Sequence, residues 1–230
     1  MDIVQKTRDD YNKIAKHFAA TRSRVWPEFD QFSALIKNGQ RILDWGCGSG
    51  RLLLMLEKWQ VEYFGVDQSI ELLKIARRQY AEFIKSGRAH FYSTAVREKK
   101  FPPDFFDLVF MIASFFHLPD EPSRQKLLDK TWQELKPGGK LVILVWNLGS
   151  DWAKEKKKTW KQLGEHDFLI PWKNPSGVIE AERYYHHFTP EELKGLLTRA
   201  GFVVERLEYS SGTWSDSKGG RNLAVVAVKP

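Results

Sequence analysis

The stretch ILDWGCGSGRLLL, positions 42 to 54, constrains the fold of this chain more than any other segment. A short apolar run reaches an aspartate, passes through Gly46, Gly48 and Gly50 in a G-x-G-x-G spacing, and continues into leucines. An apolar strand turning through glycines into an apolar-faced helix opens a strand–helix–strand unit, because bare backbone permits both a tight turn and close approach of a ligand. The alternation continues downstream. VEYFGVD reads as a strand and SIELLKIARRQYAEFIK as a helix with Ser69 as its N-cap. AHFYS, FDLVFMIAS and KLVILVW read as further strands, the last preceded by a helix that ends at LKPGG. TPEELKGLLTRAG carries Thr189 and Pro190 at its start and a glycine stop. FVVERLEYS and NLAVVAVK then close the chain as strands with no helix between them. The expected fold is α/β and Rossmann-like: a mostly parallel seven-stranded sheet, helices on both faces, and one antiparallel strand contributed by the final pair.

A chain of 230 residues predicts a single domain over 1–230. Ile3, Val4, Tyr11, Ile14, Ala15 and Phe18 share one face at helical spacing, and Pro27 opens a second expected helix, so 1–38 forms an N-terminal helical segment. Residues 148–188 break the strand–helix rhythm, lysine-rich first and turn-rich afterwards, and read as a substrate-side insertion. No apolar run is long enough to span a bilayer and the N-terminus lacks an apolar signal core, so a cytoplasmic protein without a membrane partner is expected. The lone Cys47 excludes an internal disulfide and a cysteine-built metal site. The net charge of +7 favours an anionic partner, nucleic acid first.

In a sheet of this kind the loop after the first strand is the expected ligand site. The sixth position of a dinucleotide fingerprint would be glycine, and here it is Arg51. Asp44 stands two residues before the first glycine, where it would repel a pyrophosphate and attract a cationic amino-acid ligand. Asp67, at the end of the second strand, is placed to accept hydrogen bonds from ribose hydroxyls. Two acidic groups, bare backbone and no phosphate-binding lysine point to S-adenosylmethionine. The cofactor contacts expected from this reading are Asp44, Gly46, Cys47, Gly48, Gly50, Asp67 with Gln68, Thr94 with Ala95, and Ile112. Cys47 serves there as small filler rather than as a nucleophile.

FDLVFMIASFFHL and LKPGGKLVILVW stand where class I methyltransferases, which the sequence resembles over about residues 40 to 147, carry their fourth strand and the turn into their fifth. One position departs: the family often places an acidic residue before alanine after the third strand, where this chain has Thr94-Ala95. YNKIAKHFAATRSRVWPEFDQF, LVWN, DFLIPWK and ERYYHHFTPEEL together resemble the tRNA wobble-uridine carboxymethyl methyltransferases, which esterify 5-carboxymethyluridine in the anticodon loop. That resemblance implies tRNA as partner and S-adenosylmethionine as cofactor. Eukaryotic members also use a small activator subunit, although the ending SSGTWSDSKGGRNLAVVAVKP lacks their tryptophan-rich finish. Arg22 and Arg183 fall in the matching substrate-side blocks and are expected to position the acceptor carboxylate. A carboxylate, ionised at neutral pH, needs alignment and no general base. His117 in SFFHLPD is expected to donate to the acceptor, or to act as base if the acceptor were a hydroxyl. Trp26 is expected to wall the acceptor pocket, and Tyr184, Tyr185 and His186 to meet a splayed-out uridine. Metal ligation by His186 and His187 is not expected, because adjacent strand residues point to opposite faces. Lysines of KEKKK at 154 to 158 read either as a solvated face or as phosphate contacts. A small-molecule O-methyltransferase and a binding module without catalysis stay open as alternatives.

Overall fold

The structure is a computed structural model that describes residues 2–94, 100–210 and 220–230. The glycine-rich turn joins strand β1 (Arg41–Trp45) to helix α2 (Arg51–Leu56), as the sequence requires. Strands β2 (Glu62–Asp67), β3 (Ala89–Ser93), β4 (Phe106–Ile112), β5 (Leu135–Trp146), β9 (Val203–Tyr209) and β10 (Asn222–Val228) complete a seven-stranded sheet in the order β3-β2-β1-β4-β5-β10-β9. Only β10 runs against its neighbours: it pairs antiparallel with both β5 and β9, as expected for a closing strand pair with no crossover helix.

Both faces of the sheet are covered, which explains why its strands read as continuous apolar runs. Leu43, Val109, Met111 and Ile143 enter one buried cluster, and Ile42, Leu108, Phe110, Val142 and Leu144 the other. Successive side chains therefore feed opposite cores. Helices α3 (Ile70–Gln79), α4 (Ala81–Lys85), α5 (Glu121–Glu134) and α7 (Pro190–Arg199) follow their predicted segments, with Ser69 and Thr189 capping as the sequence indicates. Tyr80, buried and stacked on Phe91, divides the helix expected over SIELLKIARRQYAEFIK in two. The expected second N-terminal helix is a 3-10 helix over Pro27–Leu35 that buries Phe29 and Phe32.

The insertion contains a second sheet that its lysine-rich and turn-rich composition does not announce. Beyond the short helix α6 (Asp151–Lys156), strands β6 (Lys161–Gln162), β7 (Asp167–Lys173) and β8 (Ile179–His186) form a separate antiparallel sheet. Helix α1 (Ile3–Ala20) packs between that sheet and α3 through Tyr11, Ile14, Ala15, Leu72 and Ala181. Polar pins fix it there: Lys6 Nζ donates to the Glu182 carbonyl at 2.6 Å, and Ser69 Oγ meets Asn12 Oδ1 at 2.8 Å. The N-terminal helix thus roofs the carboxyl ends of β1, β2 and β4. No helix among the described residues is long and apolar enough to cross a membrane.

Candidate functional site: a roofed cavity above the glycine turn

A cavity of about 410 Å³ opens under α1, and its lining brings together residues from the glycine turn, β4 and β8. The three glycines do different work. A Cβ on Gly46 would lie 2.3 Å from the Ser114 Cβ, and one on Gly50 would lie 2.7 Å from the Tyr80 ring. Protein packs against both, and both also hold a left-handed φ, +77 and +84. Gly48, at φ +56, has only Leu72 at 4.0 Å in the direction of a side chain, so its bare face belongs to the cavity. Gly50 does not line the cavity at all.

Asp44 is buried and accepts from Tyr63 Oη at 2.8 Å. Burial pushes its pKa up to about 7, against the pull of the Tyr63 hydrogen bond and with a further push from Asp67. Asp67 accepts from the amides of Gly48 at 2.8 Å and Ser69 at 2.7 Å, yet burial still raises its pKa. Neither carboxylate has a cation within ion-pair distance among the described residues. Two acidic side chains with no cation of the protein beside them, next to an open glycine, suit a cationic amino-acid ligand and reject a diphosphate, so these residues fit S-adenosylmethionine. Gln68, Thr94 and Ile112 also line the cavity, whereas Ala95 lies outside the described residues. Cys47 lines it as a buried thiol whose pKa burial raises further; its sulfur sits where a Cβ on Gly65 would come within 2.9 Å, which fits the filler role. Ala113 was not visible to sequence reasoning. It lines the cavity directly after β4 at φ 52, a conformation that costs an L-residue about 1 kcal/mol.

On the acceptor side the structure gathers Arg22, Trp26, His117, Arg183 and Tyr185 around the same space. Arg183 is 3% exposed, its Nη1 reaches Tyr11 Oη at 3.4 Å, and its Nε has no hydrogen-bond partner. Its guanidinium lies 4.9 Å from the centroid of Trp172, a ring it shares with Arg22 at 5.3 Å. Tyr185 is buried and stacked on Trp146. His117 is held at both nitrogens: Nδ1 lies 2.6 Å from the Tyr184 carbonyl and Nε2 lies 2.8 Å from Tyr11 Oη. A carbonyl only accepts, so Nδ1 carries the hydrogen and Nε2 accepts the Tyr11 proton. Burial, with the Arg183 charge adding to it, lowers the His117 pKa to about 3. His117 is therefore a neutral ring that orients Tyr11, not the free donor or base read from the sequence.

Tyr184 and His186 point away from the cavity, a correction that follows from strand parity. Arg183 and Tyr185 occupy one face of β8 and Tyr184 and His186 the other. The Tyr184 hydroxyl bonds Asp167, and His186 meets Asp167 Oδ1 at 2.8 Å and Glu192 Oε1 at 2.9 Å. No cluster that could hold a metal ion exists among the described residues. Tyr11 is the functional candidate the sequence reading missed; in a helical pattern its aromatic ring looked like core.

The single reversed strand, the roofed glycine cradle and its two uncompensated carboxylates define an S-adenosylmethionine-dependent methyltransferase. Residues 15–207 match the family described as a methyltransferase domain, and the chain belongs to that family. It is 27% identical over 222 residues to the tRNA (carboxymethyluridine(34)-5-O)-methyltransferase of Schizosaccharomyces pombe, covering 89% of this chain and 91% of that one. A crystal structure of a SAM-dependent methyltransferase from Methanosarcina mazei superposes with a TM-score of 0.65 at 24% identity, covering 90% of this chain and 98% of that one. A Haloferax volcanii structure, the complex between the Trm112 methyltransferase activator and a methyltransferase, gives a TM-score of 0.70 at 18% identity over 97% of both chains.

Proposed function

We propose that this chain methylates the carboxylate of 5-carboxymethyluridine at the wobble position of tRNA, in the cytoplasm, forming the methyl ester. The observation that carries this reading is Arg183: a buried cation at the cavity, without a carboxylate partner among the described residues and with Nε unpaired. A buried charge left in that state is costly unless a ligand completes it. An acceptor carboxylate would do so, and one of its oxygens would remain free to react.

The bound cofactor supplies a methyl group already activated on a sulfonium, so the transfer moves no proton. Asp44 and Asp67 hold the cofactor, with Gly48 giving its face to it. Arg183 and Arg22 orient the acceptor, and Tyr11, fixed by His117, holds the Arg183 guanidinium in place. The neutral, fully engaged His117 supports a carboxylate acceptor over a hydroxyl one, because a hydroxyl would require a free base. The S. pombe relative, named for this reaction and matched over nearly its full length, supports the choice of tRNA. The Haloferax complex supports a small activator subunit as partner.

The test is incubation of the protein, with and without such an activator, with labelled S-adenosylmethionine and tRNA bearing carboxymethyluridine. Label that mild alkali releases as methanol is the expected result. Alkali-stable label, or label only on small acids or phenols, refutes the assignment. Arg22→Ala should keep cofactor binding and cut transfer.

A further inference from the structure

Arg183, Arg22 and Arg51 all line the cavity, and among the described residues none of them has a carboxylate within ion-pair distance. Arg183 is buried at the floor and Arg22 shares the Trp172 ring with it. Arg51 sits with its guanidinium 5.4 Å from the centroid of Trp26, and its Nε donates to the Arg24 carbonyl at 2.9 Å. Burial, then the charge of Arg22, lowers its pKa to about 10. Several arginines elsewhere meet carboxylates, such as Arg41 with Glu62, Arg124 with Glu192 and Arg199 with Glu121, while Arg77 and Arg88 donate to backbone carbonyls. Arg22 and Arg51 have no carboxylate within ion-pair distance among the described residues. Half-buried like charges repel unless an anion lies between them.

In the proposed reaction Arg183 and Arg22 hold the one acceptor carboxylate, and Arg51 is left without an anion. We propose that Arg51, with Arg22 and Trp26 beside it, forms a phosphodiester site at the cavity mouth that grips the single-stranded RNA whose carboxylated base enters the cavity. This rests on the proposed function and deepens it. A base reaching Arg183 carries its own ribose phosphates toward the mouth. A planar guanidinium matches a phosphate with paired hydrogen bonds, and a cation beside an aromatic ring is the usual pairing for single strands. A free carboxylic acid would leave Arg51 idle.

The experiment measures binding of a fluorescein-labelled anticodon-arm RNA lacking the carboxymethyl group, by anisotropy, between about 50 and about 200 mM salt. Wild type, Arg51→Gln and Arg51→Lys are compared, each checked for thermal midpoint and for S-adenosylmethionine affinity by calorimetry. Arg51→Gln is expected to weaken RNA binding about tenfold and to lower the slope of log affinity against log salt by about 0.7, with the lysine variant keeping the wild-type slope. In methylation, the ratio of kcat/KM on a carboxymethyluridine-bearing arm to that on the free nucleoside should fall by a similar factor. Unchanged binding and slope overturn the proposal. So does a loss that falls equally on arm and nucleoside, or one explained by weaker cofactor binding, because Arg51 would then belong to the cofactor cradle. A wild-type protein that methylates no carboxymethyl RNA sinks the proposed function, while the binding of unmodified RNA still decides the role of Arg51.

Discussion

Cofactor affinity should depend on pH through Asp44. In the ligand-free protein burial holds its pKa at about 7, so the carboxyl is half protonated at neutrality. A cationic ligand binds the ionised form, and the apparent affinity follows the ionised fraction. That fraction falls from about one half at pH 7 to about 0.03 at pH 5.5, a loss of roughly 16-fold or about 1.7 kcal/mol. The window closes near pH 7, because an α-amino group such as the ligand's begins to titrate at about 7.7. Asp67, whose pKa burial also raises, titrates in the same direction and can only steepen the fall. The stability linkage has the opposite sign. Asp44's folded pKa lies above its unfolded value of about 3.9, so its contribution to the ligand-free fold is complete below that value and lost as pH rises through about 7. Stabilisation by the cofactor should therefore rise from acid pH to a maximum near neutrality. Calorimetric titration with S-adenosylmethionine in buffers of different ionisation enthalpy reads both quantities, with close to one proton released per ligand near pH 6. Asp44→Asn keeps a partner for Tyr63 but removes the charge, and should weaken binding at pH 7 by about 10- to 100-fold while flattening the profile. Affinity constant within twofold across this range, or tighter at the acid end, would show that Asp44 does not carry the charge pairing.

Other changes test other parts of the site. Arg183→Met should leave S-adenosylmethionine affinity within about twofold and cut single-turnover transfer by about 100-fold or more, the scale of a lost charged hydrogen bond; a normal rate would remove Arg183 from acceptor positioning. Tyr11→Phe removes the hydroxyl that bridges His117 and Arg183. It should lower kcat about tenfold, about 1.4 kcal/mol, without a new pH dependence, and a pH-rate profile checks this. His186→Ala strips Asp167 and Glu192 of a shared partner, and should lower stability in denaturant melts by about 1–3 kcal/mol while sparing kcat, since the ring faces away from the cavity. Ala113→Gly should raise stability by up to about 1 kcal/mol by relieving its positive φ, whereas Ala113→Val should lower it.

Much of this was legible in the sequence because the fold repeats a local grammar. The glycine turn, the capped helices and the doubly buried strands are short-range patterns, and the structure contains them in place. The second sheet was not legible, although the strand carrying His186 was. DFLIPWK and the segment ending in ERYYHH form strands only because they pair with each other, and the first stands at the edge of a turn-rich stretch that carries no strand signal of its own. The His117 role was hidden for a related reason. Its chemistry depends on the carbonyl of Tyr184 and the hydroxyl of Tyr11, groups 67 and 106 residues away in the chain.

The sequence by itself determined the strand-turn-helix that carries the cradle, an aspartate, three glycines and a leucine helix in one continuous stretch, while Ser114 and Tyr80 pack against two of its glycines only in the folded chain. It also determined that Arg183 and Tyr184 cannot share a face, because strand side chains alternate. Only the tertiary structure decided which face of β8 looks into the cavity, since that depends on where α1 and the second sheet come to rest. Packing of Tyr11, Leu72 and Ala181 turns Arg183 inward and His186 outward, and no local pattern records that choice.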